Sequence, residues 1–526
     1  MVGRESHAGS ASLVTEVTNQ RRAETPLLLQ EATCWRKAPS NRVAFLVDNS
    51  AYFAAIRAAI RQAKKSVLIV GWAFDPRTRL RPGPDPEENA PDEIGNLLIG
   101  LAEANPELDV RILVWKSALP ISASQDFFPH RARKWFKGTP VRFMLDASVP
   151  FGACHHQKIV VVDDKVAFSG GGDISVDRWD TPAHLDDDPR RMMPSGDCHD
   201  PRHEVMMMVD GPAAVMLGDM ARARWMRATN KSVPPPEPSE GDPWPVWLAP
   251  DLHQAEVAVA RTEPKWRKCP EVREIEALHI EAIRQARHAI YLENQYFTSP
   301  VIGEALAARL QQEDGPEVVV ISTEHSPSYF DQMTMDKTRA KLLARLREAD
   351  KYGRFRAYCP RTRDGKTIIV HSKVAIIDDR LVRIGSANLN NRSAGFDTEC
   401  DMVIEASTPQ QRSAINDLRA RLIGHFLNLS VTQLEALARE GGLVGAMDLL
   451  QAASEGRLQK LEPAALSPFF RLVARYHLGD PMDAADSWRP WLRDGRLRRE
   501  MQEAGLSASV PEPLVDAKVD DQRQVV

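Results

Sequence analysis

Two short stretches carry the first chemical signal. His156-Gln-Lys158 precedes the apolar run Ile159–Val162 and Asp163, and His371-Ser-Lys373 precedes the apolar run 374–377 and Asp378. Each set offers an imidazole, an ammonium and a carboxylate at one fixed spacing. His and Lys two residues apart on a strand project to the same face, so ring and ammonium converge. The apolar run buries the strand and holds that face rigid, while the Asp closes the strand and can anchor the following turn. Phe168-Ser-Gly170-Gly171 follows the first set and Ile384-Gly385-Ser386-Ala-Asn388 the second, and such small residues let backbone approach a ligand closely. Brought together, the sets supply two imidazoles, two lysines and no metal. That inventory suits displacement at a phosphorus ester: one imidazole attacks, the other protonates the leaving oxygen, and the lysines neutralise the non-bridging oxygens. Each ring also needs a partner on its other nitrogen to hold the productive tautomer. Glu204 and Glu399, downstream in each half, are the acidic candidates.

The elements that must position these groups occur twice. Ala59-Ile-Arg-Gln-Ala63 recurs letter for letter as Ala282-Ile-Arg-Gln-Ala286. Each copy ends a helical pattern, with Phe53, Ile56 and Ile60 on one face in the first and Ile275, Leu278 and Ala282 in the second. Each then enters a buried strand (66–71 and 289–293), an aromatic turn (Trp72-Ala-Phe74 and Asn294-Gln-Tyr-Phe297), an Ile-Gly helix starting at Ile94 or Ile302, and a further strand (110–115 and 318–322). The two motifs are separated by nearly the same length of chain as the two pentapeptides, so they belong to the duplication. Helices alternating with β-branched strands read as α/β lobes. The expected organisation is a flexible N-terminus over 1–30, a first lobe over 31–240, a second over 241–430, and a helical C-terminal extension with a polar tail over 431–526. Ser232 to Pro245 is a Pro-rich linker at the lobe junction, and Arg81 to Pro91 a surface loop within the first lobe.

With 526 residues the chain has room for two to four core-bearing units. Its 68 basic and 72 acidic residues leave a formal charge of −4, which argues against a general nucleic-acid binder. Six scattered Cys without a C-x-x-C pair exclude a disulfide scaffold and a zinc ribbon, and fit a reducing compartment. No stretch approaches the roughly 20 apolar residues of a membrane helix, and the polar N-terminus lacks the apolar core of a secretory signal. The expectation is a cytoplasmic protein whose membrane contact is peripheral.

At the paired motifs the sequence resembles the phospholipase D superfamily, whose signature is a doubled H-x-K-x4-D, and the likeness runs over about residues 40–430. Gly170-Gly171-Gly172-Asp173, read as Gly-Gly-x-Asp, together with Arg178-Trp179-Asp180, the Gly71-Trp-Ala-Phe turn, Glu293-Asn-Gln-Tyr-Phe297 and Gly385-Ser-Ala-Asn-Leu-Asn-Asn-Arg-Ser393, is similar to elements of phospholipases D proper. The resemblance implies an α/β fold of duplicated phospholipase D-like lobes, each a mixed sheet flanked by helices and related by a pseudo-two-fold, plus the C-terminal helical extension. It implies a metal-independent phosphodiesterase or phosphatidyltransferase that needs no cofactor, with one site shared by both lobes. By that analogy His156 is the nucleophile that forms a phosphohistidine, and His371 the general acid and then the base that activates water or a primary alcohol. Lys158 and Lys373 grip the phosphate. Asn388, with Asp173 at the corresponding first-lobe position, and Gly170, Gly171 and Ser386 line the pocket. Asp163 and Asp378 complete the motifs and fix structure rather than transfer protons, and Glu204 and Glu399 partner the imidazoles. On this reading no PX- or PH-type lipid-targeting module is expected before residue 40.

Other residues are weighed and mostly set aside. His155 points to the opposite strand face from His156 and reads as structural. His199 and His203 could suggest a metal pair but read as a solvated loop. The stretch His130 to Lys137 is either a headgroup-docking helix or a basic surface helix, and Phe127-Phe128 and Tyr329-Phe330 either interfacial loop tips or core. The reading that results is a monomeric phospholipase D that hydrolyses a glycerophospholipid such as phosphatidylcholine at a membrane surface, without nucleic acid as partner. A cardiolipin synthase-like phosphatidyltransferase is the alternative, and a nucleic-acid phosphodiesterase the more distant one.

Overall fold

The computed structural model describes residues 25–83, 92–117, 129–427, 429–462 and 466–506. The expectations for the N-terminus before residue 25, for residues 84–91 of the Pro-rich loop, for Phe127-Phe128 and for the tail after 506 lie outside these residues.

β-branched runs such as Ser66–Gly71 and Ile159–Val162 are buried along their whole length, as strands covered on both faces must be. They join a 16-stranded mixed sheet whose order is nearly a palindrome. At its centre Arg36–Val47 pairs antiparallel with Leu252–Glu263, from Arg36 opposite Val259 to Val43 opposite Leu252. Outward on the first side lie Val205–Asp210, Val166–Gly170, Ile159–Val162, Ser66–Gly71, Asp109–Trp115 and Arg142–Asp146. Outward on the other lie Glu399–Glu405, Leu381–Gly385, Lys373–Ile377, Ala289–Asn294, Glu317–Ile321 and Phe355–Pro360. Each strand of one half has its counterpart in the other, so the duplication read from the pentapeptide is a pseudo-two-fold about the central pair.

The helices follow the same repeat. Asn49–Arg61 buries Tyr52, Phe53, Ile56, Ala59 and Ile60 against the first half, and Glu274–Gln285 buries Ile275, Leu278 and Ala282 against the second. On the opposite face one apolar core crosses the junction, from Phe45 and Leu217 to Met402 and Ile423. The lobes therefore share a core as well as a sheet. Beyond the duplication the chain is not purely helical. Helix Val431–Ala453 breaks at Gly442, whose φ of 70° and whose closeness to the Glu317 carboxylate leave no room for a side chain. Strand Leu458–Lys460 then extends the second half's edge by pairing with Phe355–Pro360.

Candidate active site

Both motifs enter the sheet from the junction between the halves. The strands begin at Ile159 and at Lys373, so His156 and His371 sit on the entrance segments rather than within the strands the sequence suggested. The reason is that these segments pair across the junction instead of with their own sheet. The His156 N–H donates to the Thr398 carbonyl at 2.9 Å and the His371 N–H to the His203 carbonyl at 2.8 Å. A short parallel pair, Ile369–Val370 with Arg202–His203, reinforces the second contact.

The side chains cross in the same way. His156 Nδ1 faces Glu399 Oε2 at 3.0 Å, and His371 Nδ1 faces Glu204 Oε2 at 2.5 Å. Each imidazole is thus held by a carboxylate from the other half, both carboxylates are fully buried, and Nε2 is left to face a ligand. Lys158 Nζ donates to the His156 carbonyl at 2.8 Å and pairs with Asp173 at 3.2 Å. Lys373 Nζ donates to the His371 carbonyl at 2.5 Å. Gly171 lies between the halves: a Cβ there would fall 2.4 Å from Glu204 Oε1 and 3.0 Å from Lys373 Cδ.

Burial sets the protonation states. It holds His156 well below its usual pKa, helped by Lys158 and then Lys373. It does the same to His371, helped by Lys373, Arg202, Arg178 and Lys158. Lysines from both halves therefore act on each ring. Burial also lowers Lys373 to about 7 despite Glu204, and raises Glu204 to about 7 against the pull of Lys373. Glu399 is raised by burial to about 7, although Ser386 and Ser393 donate to it at 2.5 and 2.6 Å and favour its charged form. Two neutral imidazoles, two carboxyls that titrate near neutrality and two lysines form a set able to move protons at pH 7.

The remaining expected site residues separate into groups. Asp163 accepts the N–H groups of Lys64, Lys65 and Ser66 at 2.8, 2.8 and 2.7 Å. Asp378 does the same for Arg287, His288 and Ala289 at 3.0, 2.7 and 2.9 Å. Both sit at the far ends of the motif strands and anchor backbone, as expected of them, so their place beside the catalytic residues is one of sequence motif and not of contact. Asp173 accepts from Trp72 N–H and Ala73 N–H, both at 3.0 Å, and steadies Lys158. Gly170 is packed on Met206 and Val205; its small size serves the sheet. Ser386 is buried and orients Glu399. Asn388 keeps a buried Oδ1 without a hydrogen-bond partner and remains a candidate for the ligand.

Sequence reasoning passed over Ser393 as a carboxylate partner and Arg202 as a neighbour of His371. Ser393 reaches Glu399 from only six residues away, at the end of the Gly385–Ser393 motif, whereas nothing local marks Arg202, which acts on His371 from the other half. His155 is structural as expected, 3.0 Å from Asp146 through Nε2 and 3.1 Å from Thr398 Oγ1 through Nδ1. The solvated-loop expectation is corrected at His203. Pairing with Ile369–Val370 draws it inward until it is fully buried, with Nδ1 2.8 Å from Asp48 and Nε2 3.0 Å from Glu293. His199 is half-buried. In helix Pro129–Trp135 and just beyond it, Arg131, Arg133, Lys134 and Lys137 are exposed, whereas Phe136 is core, stacked on Phe143 with ring centroids 5.8 Å apart. Tyr329 and Phe330 are exposed at the start of helix Tyr329–Ala349. Among the described residues no helix is long and apolar enough to cross a membrane.

Comparison with known proteins adds independent findings. Residues 59–237 match the family model described as Phospholipase D, and residues 279–420 the one described as Cardiolipin synthase, PLD-like domain. Phospholipase D A of Dictyostelium discoideum is 26% identical over 455 residues, covering 73% of this chain and 35% of that protein. Phospholipase D alpha 3 of Arabidopsis thaliana is 23% identical over 507 residues, covering 69% and 60%. Phospholipase D1 of Saccharomyces cerevisiae is 24% identical over 508 residues, covering 75% and 29%. The chain thus spans less than two thirds of the length of each of these relatives. In fold it is similar to the crystal structure of phosphatidylserine synthase from Haemophilus influenzae Rd KW20, with a TM-score of 0.51 at 14% identity, covering 79% of this chain and 95% of that one.

Proposed function

The chain belongs to the phospholipase D superfamily, a phosphodiesterase family, and from that premise we propose that it cleaves the distal phosphodiester of a glycerophospholipid such as phosphatidylcholine. The products are phosphatidate and the free headgroup alcohol, with water or a primary alcohol as acceptor. The observation that carries the reading is the reciprocal pairing of His156 with Glu399 and of His371 with Glu204 across the junction.

In the first step His156 Nε2 attacks phosphorus while its Nδ1–H is held by the Glu399 carboxylate. The phosphorus–oxygen bond to the headgroup breaks, and His371 gives its Nε2 proton to the leaving oxygen. With its pKa near 7, Glu204 can return a proton to His371 Nδ1 in the same movement, so His371 needs no net charge to act as acid. In the second step His371 Nε2 takes a proton from water or an alcohol, whose oxygen displaces His156 from the phosphohistidine. Lys158 and Lys373 balance the charge on the non-bridging oxygens throughout.

The test is a thin-layer assay of the purified chain on phosphatidylcholine vesicles with a primary alcohol present. Phosphatidate, phosphatidyl alcohol and free choline are expected. His156→Asn and His371→Asn should each cut turnover by about 10³-fold or more with melting temperatures close to the parent. Retained activity in either variant refutes the shared site. A phosphatidyltransferase reading is favoured by the second half's match to the cardiolipin synthase-like model; exclusive condensation of two phosphatidylglycerols would select it.

A further inference from the structure

Behind the proposed catalytic groups lies a second constellation that the reaction above does not use. Asp48, His184, His203 and His425 are drawn from four separated parts of the chain, and each offers one ligand atom within 4.8 Å of all the others. The orientation of the three rings is specific. His184 Nδ1 is tied to Asp180 at 2.9 Å, His425 Nδ1 to the Leu422 carbonyl at 2.8 Å, and His203 Nε2 to Glu293 at 3.0 Å. Each ring is therefore fixed through one nitrogen by a carboxylate or carbonyl and presents the other to a common point. That is the arrangement metal-bound histidines adopt, in which the outer partner sets the tautomer and raises ligand basicity.

The inward atoms fit a small cation better than they fit one another. His184 Nε2 and His425 Nε2 lie 3.3 Å apart, a close approach of two ring nitrogens whose opposite Nδ1 atoms are already engaged by Asp180 and by the Leu422 carbonyl. A tetrahedral site with bonds of about 2.0–2.1 Å has edges of about 3.3 Å. Asp48 Oδ2 lies 3.7 Å from His184 Nε2 and 3.9 Å from His425 Nε2, beyond hydrogen-bond reach. It is fully buried and has no hydrogen-bond partner, a costly state for a carboxylate oxygen. His203 Nδ1 completes the set, 2.8 Å from Asp48 Oδ1. Phe426 packs against His184, His203 and His425 and helps to close the site to water.

We propose that Asp48, His184, His203 and His425 form a closed tetrahedral site for a divalent transition metal of the zinc class, with a structural role. Coordination replaces the proton on His203 Nδ1, which leaves to solvent. The site does not reach the reacting phosphorus, but it is joined to the groups that do. Asp48 N–H donates to the Glu204 carbonyl at 2.7 Å, and the His203 carbonyl receives the His371 N–H. A metal here pins the segment that presents Glu204 to His371, and ties helix Pro409–His425 to the first half.

The test needs no substrate, so its outcome is separate from that of the proposed reaction. The tag-free full chain is analysed for metal content by mass spectrometry, then stripped with chelator and titrated with Zn²⁺ or Co²⁺. About one equivalent per chain is expected, together with the visible bands of tetrahedral Co²⁺ and a melting temperature that falls on chelation and recovers with zinc. His425→Gln, at the least buried ligand, should hold less than about a tenth of an equivalent. Asp180→Asn, which removes only the outer partner of His184, should weaken binding by roughly 10–100-fold. The proposal is overturned if the parent chain neither retains nor takes up zinc or cobalt. Full stoichiometry in both His425→Gln and His184→Gln overturns it as well, since the metal then sits elsewhere.

Discussion

The motif aspartates offer the sharpest test of which residues act and which only hold. Asp163 receives three backbone N–H bonds from residues 64–66 and sits in the left-handed region at φ 54°. Asp163→Asn tolerates that backbone. It keeps one carbonyl oxygen for Lys65 and Ser66 but turns an amide donor toward the Lys64 N–H, so about 1–2 kcal/mol of stability should be lost. Asp163→Ala removes all three acceptors. The Lys64 and Lys65 donors can recover water, but the buried Ser66 N–H cannot, and with the added left-handed strain the loss should reach about 4 kcal/mol. The assay combines urea unfolding with turnover of the folded protein well below its transition. The expected result is a graded fall in the unfolding midpoint from parent to Asn to Ala, with turnover per folded molecule within about tenfold of the parent. Asp378→Asn should behave as Asp163→Asn does. A loss of 10³-fold or more in turnover with an unchanged midpoint would falsify the anchoring role and return these carboxylates to the chemistry.

Three further outcomes follow from the same geometry. The pH profile of kcat/KM should be bell-shaped about neutrality: below about 7 Glu399 gains a proton and can no longer accept from His156, and above about 7 Glu204 and Lys373 lose theirs. A flat profile across that range would contradict these roles. Replacing both Ser386 and Ser393 by Ala removes two donors that favour the charged form of Glu399, so the acidic limb should move to higher pH; a limb that stays in place rules out Glu399 as its source. Gly171→Ala drives a Cβ into the Glu204 carboxylate that holds His371 and should cost about 10²-fold in turnover, while Gly100→Ala, open to space, should cost nothing measurable.

Much of the fold was legible because its signals are local. The repeated pentapeptide, the β-branched runs and the Gly-rich turns each report their own few residues, and their order, read twice, yields the palindromic sheet. The anchoring role of Asp163 and Asp378 was visible for the same reason, since each closes the strand it follows. His203 misled because its neighbours in sequence, His199 and several Asp and Pro residues, look like loop. What buries it is a strand segment from the other half, at Ile369–Val370.

Sequence alone determined the inventory of the site: two imidazoles, two lysines, and the acidic groups able to orient them. Tertiary structure decided the pairing, assigning Glu399 to His156 and Glu204 to His371, and gathered Asp48, His184, His203 and His425 behind them. The physical reason is distance along the chain. Spacing fixes what a residue can reach within one strand or one turn, whereas a contact across the pseudo-two-fold depends on how two complete halves bury their shared core.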